Sequence, residues 1–192
     1  RGGSASASLP PPPEPEPVAV PPASAGSGLV GEGRTVLVYG DECSALSEAV
    51  AKRCGGTVLD LSRLAAFAES DPSEEGAALL AVMAGGAMVP MKVVAPLMAR
   101  TMARCEPPYV LNGFPRMGKQ VRDLEAAVGS VPLAVRAGSA SGGPNGPLSK
   151  WLAANGKVEH AASGCDESAV VGALDAMAAA GLVFTAVDAR SE

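Results

Sequence analysis

The stretch YVLNGFPRMGKQ, Tyr109 to Gln120, decides how the rest of the chain is read. Its apolar start, Tyr109 to Gly113, has the pattern of a strand buried on both faces. Phe114, Pro115 and Arg116 make a turn, and MGKQVRDLEAAVG, from Met117, sets out as a polar helix. An arginine just past a strand end carries a guanidinium fork that takes two oxygens of an anion, and the strand-end amides add further donors. Gln120 follows one helical turn after Arg116, with a side-chain amide that can both donate and accept.

Outward from this segment, short apolar runs alternate with helical stretches. TVLVY (Thr35 to Tyr39), TVLDL (Thr57 to Leu61) and VPLAVRA (Val131 to Ala137) read as further strands, and Lys157 to Ala161 as a last one. CSALSEAVAKRC (Cys43 to Cys54) places Leu46, Val50 and Cys54 on one helical face. A helix begins near Arg63. DPSEEGAALLAVMAGG is another, capped by Asp71 or Ser73, with Glu74 and Glu75 complementing its dipole and Gly85-Gly86 ending it. VPMKVVAPLMARTMARC follows with Pro90 at its first turn, KWLAANG supplies a short helix, and Asp166 to Gly181 a closing amphipathic one. This alternation predicts an α/β domain with three layers around a five-stranded parallel sheet. Ligands of such sheets sit outside the carboxyl ends of the strands, so the turns after Tyr39, Leu61, Gly113 and Ala137 are the places to search.

The chain divides into a Pro/Ser/Ala-rich extended tail (1–33), a folded domain (34–183) and a C-terminal extension (184–192). PPPPEPEP in the tail reads as a polyproline II rod between flexible spacers, expected to be disordered until a partner protein holds it. The chain starts at Arg1, which is read as either a processed protein or a piece of a longer one. The extension either adds an edge strand or docks on a neighbour. A net charge of -5, with no basic cluster longer than Lys52-Arg53, excludes a phosphate-backbone footprint, so neither nucleic acid nor an anionic membrane is an expected partner. No apolar run reaches the length of a membrane span. The four cysteines, Cys43, Cys54, Cys105 and Cys165, contain no CxxC pair, which argues against a zinc knuckle or redox dithiol. His160, the only histidine, and Cys43 read as structural, and Trp151 as packed on the sheet edge.

LNGFPRMGKQVRDLE resembles the D-G-[FY]-P-R-x-x-x-Q-x-x-x-[LF]-E segment of the adenylate kinase family of nucleoside monophosphate kinases. LDLSR (Leu59 to Arg63) is similar to that family's G-D-L-L-R, GGAMVP (Gly85 to Pro90) to its G-x-x-V-P, and GKVEHAASGCDESAVVGAL to its closing strand and helix. The resemblance runs from about Thr35 to Gly181. It implies a P-loop NTPase-like, adenylate kinase-like fold, and a remnant monophosphate site at Arg63, Val89, Gly113, Arg116 and Gln120, in which Gln120 reads the edge of an adenine.

The same resemblance exposes what is missing. An active member carries a glycine-rich loop with a lysine after the first strand, which wraps the donor phosphates. Here the degenerate loop is Gly40, Asp41, Glu42, Cys43 and Ser44, with no lysine before Lys52. Asn112 stands in place of the aspartate that holds the magnesium shell. The lid has shrunk to AGSASGGPNGPL, leaving Arg136 as the nearest arginine. These losses predict a catalytically inactive structural subunit of a larger protein assembly, without cofactor or metal, docking through residues 1–33. Related domains imply a ciliary axoneme or an organellar (chloroplast or mitochondrial) complex, otherwise the cytoplasm. The alternatives are a sensor of an AMP-like nucleotide and an active divergent kinase.

Overall fold

The structure, a computed structural model, describes residues 29–87, 89–138, 146–182 and 184. At its centre lies β1 (Thr35–Gly40), in which Val36, Leu37 and Val38 are fully buried. Parallel neighbours β3 (Tyr109–Asn112) and β4 (Leu133–Ala137) flank it, and β2 (Thr57–Leu59) and β5 (Val158–Ala162) are the edges, giving the order β2-β3-β1-β4-β5. All four pairings are parallel. The expected α/β architecture with a five-stranded parallel sheet is therefore present.

Alternation along the strands sorts the helices into two outer layers. Val36, Val38, Val110 and Val135 face α1 (Cys43–Cys54) and α7 (Glu167–Ala179), whose Leu46, Val50, Val170 and Ala173 complete one apolar layer. Leu37, Tyr39, Leu59 and Leu111 face the other side. There α2 (Leu61–Ser70), α3 (Glu74–Ala84), α4 (Met91–Met102), α5 (Gly118–Val128) and α6 (Pro147–Ala154) pack through Leu64, Leu79, Leu97, Leu124 and Leu152. With so few aromatic residues, the core is built from aliphatic side chains fitted closely.

Local chemistry sets the element ends. Asp60 accepts a hydrogen bond from the Arg63 amide (2.8 Å) and caps α2, so β2 stops at Leu59 and Leu61 is already helical, two residues before the strand end read from the sequence. Ser73, rather than Asp71, caps α3. Asp166 caps α7. The C-terminus of α1 closes on Gly55 in the left-handed region (φ 66°). Pro90 is the N-cap of α4, one position before its first turn.

Val30 to Gly33, counted with the tail in the sequence reading, lie against the domain. Val30 packs on the α2–α6 layer, the Gly31 amide donates to the Val128 carbonyl (2.7 Å), and Glu32 accepts from the Ser130 amide (2.6 Å). The expected rod in residues 1–28, the linker residues 139–145 and the extension from 185 onward fall outside the described residues. Among the described residues no helix is long and apolar enough to cross a membrane.

Trp151 fills a different place from the sheet edge expected of it. Its indole lies on α5, where a Cβ built on Gly118 would fall 2.0 Å from the ring. Gly118→Ala is expected to lower stability by about 1–3 kcal/mol through overpacking. Gly85→Ala, at a helical φ with no neighbour closer than 3.5 Å, is expected to be neutral or slightly stabilising. Urea midpoints of the two variants check the contrast.

Candidate functional site

β1 leaves the sheet at Gly40, whose φ of 119° and position against β4 admit no side chain: a Cβ there would lie 2.1 Å from the Ala137 carbonyl oxygen. Only Asp41 and Glu42 separate it from α1, and both are exposed. Glu42 is the N-cap of α1 but makes no side-chain cap bond. Cys43, the first helical residue, is buried with its Sγ close to Gly113, and Ser44 is exposed. The turn is thus two residues long, lacks lysine, and carries two carboxylates.

Beside it, at the end of β3, the Asn112 amide donates to the Ser44 hydroxyl (3.3 Å). The Asn112 Oδ1 and the Oγ of Ser47, on the next turn of α1, are buried without a partner. Gly113 turns the chain in the left-handed region (φ 65°), and the Arg116 Nε donates back to its carbonyl (2.8 Å). Among the described residues no carboxylate pairs with Arg116. Gln120 turns its Oε1 onto the amides of Arg116 (2.9 Å) and Met117 (3.2 Å), so the residue expected to read a base caps its own helix.

A hollow of about 500 Å³ opens between these turns, lined by Tyr39, Gly40, Asp41, Arg116, Leu148 and Ser149. It holds Gly113, Arg116, Gly40 and Asp41 of the expected site residues. Arg63 lies elsewhere. Its Nη1 donates to the Val58 carbonyl (2.8 Å) and its Nη2 pairs with Glu48 of α1 (2.7 Å), beside a second hollow of about 560 Å³ between α1 and β2. Val89 is half-buried on the α2–α6 layer. The two arginines expected to share a phosphate therefore line different hollows.

The sequence reading missed a polar cluster behind the first hollow. Glu159 of β5 accepts through Oε1 from the Tyr39 hydroxyl (2.6 Å), the Arg136 Nε (2.9 Å) and the Ser149 Oγ (3.0 Å). Tyr39 and Ser149 are themselves 2.9 Å apart. The members come from β1, β4, α6 and β5, and only the fold assembles them. Arg136 is thereby neutralised by a carboxylate. Burial first, then the bond to Glu159, pushes the Tyr39 phenol up to about 12. Among the described residues no group of histidine, cysteine and acidic side chains has the form of a metal site.

In comparison with known proteins, the chain matches no family model, and no curated protein matches it either.

A phenol whose folded pKa exceeds its unfolded value stabilises the fold below the unfolded pKa, and that contribution is lost as pH rises through the folded one. Stability is therefore expected to fall between about pH 10, the unfolded tyrosine value, and about pH 12. Tyr39→Phe should show a shallower fall across that window in urea midpoints measured against pH. Tyr109, also raised by burial, contributes equally to both proteins.

Proposed function

We propose that this chain is a catalytically inactive adenylate kinase-like domain that serves as a structural subunit of a larger protein assembly, with its Pro-rich N-terminal segment as the docking arm. The finer fold reading, a P-loop NTPase-like sheet with a reduced lid, rests on the GFPR segment together with a parallel sheet in which β1 stands between β3 and β4.

The observation that carries the loss of catalysis is the two-residue turn after β1. Transfer of a phosphoryl group relies on backbone amides and a lysine wrapped around the donor phosphates and on a divalent cation between hydroxyl and carboxylate ligands. Asp41 and Glu42 supply neither amides in a loop nor a cation. A carboxylate about 4 Å from a phosphate repels it by roughly 1–4 kcal/mol at effective dielectric constants between those of water and a protein surface. Where the cation would be held, the neutral Asn112 amide donates directly to the Ser44 hydroxyl, so the end of β3 offers an amide in place of a carboxylate to a hard dication. The sheet and both helical layers are complete without any of this machinery, which supports a domain kept for its shape.

A second reading, a non-catalytic sensor of an AMP-like nucleotide, is favoured by one observation: Arg116 lines the hollow and, among the described residues, no carboxylate pairs with its guanidinium. Against it stand Arg63, held by Glu48, and Gln120, spent on its own helix.

With Mg²⁺, ATP and AMP, a coupled assay is expected to show no ADP formation above background; sustained turnover would overturn the proposal. Calorimetry with AMP is expected to give millimolar or no binding, unchanged by Arg116→Ala. Micromolar binding weakened tenfold or more by that substitution would establish the sensor instead.

A further inference from the structure

The two edges of the sheet are treated differently. An edge strand offers unpaired amides and carbonyls to any extended chain, and proteins guard such edges with charged side chains, prolines or bulges. At β2 the guard is present: Arg63 covers the outward Val58 carbonyl and is fixed there by Glu48. At β5 it is absent. The strand pairs with β4 without a bulge from Val158 to Ala162 and contains no proline. Its charged residue, Glu159, is turned inward to the Tyr39 cluster, and Lys157, just before the strand, is turned to Glu125. Among the described residues no strand covers its outer side. Only Ala162 of its five residues is buried, and Val158 is 53% exposed. Val171 of α7 is also exposed, next to Gly172, which meets His160. Of the five exposed large apolar side chains among the described residues, two thus belong to this flank.

We propose that β5 is a dimerisation edge, pairing antiparallel with β5 of a second copy of this chain to make one continuous ten-stranded sheet. The strand is complementary to itself in size and charge. A two-fold axis through His160 sets Val158 opposite the partner copy's alanine at 162, and Glu159 opposite its alanine at 161, so a larger side chain meets a small one at each pair. No carboxylate faces a carboxylate and no ammonium an ammonium, the arrangement that stabilises cross-strand pairs. The two imidazoles meet on the axis, on the face covered by α7. The inference does not depend on the adenylate kinase-like reading, because it uses only the sheet edge.

Sedimentation equilibrium of the full chain at about 100 µM tests it. The expected result is twice the mass of one chain. Val158→Lys, an exposed position whose change leaves the core untouched, restores a guarding charge and is expected to weaken the dimer at least tenfold with an unchanged circular dichroism spectrum. A monomeric wild type overturns the proposal, as does a dimer indifferent to both Val158→Lys and Ala161→Pro, which would place the interface elsewhere. A wild-type monomer that dimerises once residues 185–192 are deleted also overturns it, identifying the chain's own C-terminal segment as the cover.

Discussion

The ends of β1 and β4 meet at Gly40 and the carbonyl of Ala137 with no space for a Cβ. That contact fixes where the central strand ends and how soon α1 can begin. Because the helix starts only three residues on, at Cys43, the backbone has no slack from which to form a loop around a ligand. The acidic turn and the hydrogen bond between Asn112 and Ser44 both follow from this short exit. On the β3 side of this exit, protein groups are bonded to one another, Asn112 to Ser44 and Arg116 back to the Gly113 carbonyl.

The Glu159 cluster does the same work on the other side of β1. One carboxylate oxygen accepts three donors from β1, β4 and α6, binding the helix after the linker to the sheet and occupying Arg136. Removing one partner of such a half-buried network costs more than a surface ion pair, because the groups left behind lose their bonds in a poorly solvated place. Energetically, polar side chains that could serve a ligand are committed to holding the domain together, which is consistent with a structural role.

The strands were legible because their residues are apolar on both faces and short, and the helices because Leu46, Val50 and Cys54, or Val121 and Leu124, repeat at helical spacing. The end of β2 was misjudged because Leu61 continues the apolar run; the decisive interaction, Asp60 to the Arg63 amide, is local and follows the usual N-cap pattern. Gln120 was open to the same reading, since a glutamine at the third helical position commonly folds back onto the N-terminus. Arg63 was not legible. Its direction is set by Glu48 on a different helix and by the carbonyl of an edge strand. Nor could spacing reveal the bonds of Tyr39 to Ser149 and Glu159, which join residues 110 and 120 positions apart.

Arg63 over the Val58 carbonyl also limits how the protein assembles. A sheet open at both margins can recruit copies indefinitely and grow into a fibre, whereas one sealed at β2 can add strands on the β5 side alone. Association through that side ends after one step, with the two plugged margins outermost. The guanidinium that resembles a ligand for phosphate thus acts as a stopper against runaway polymerisation.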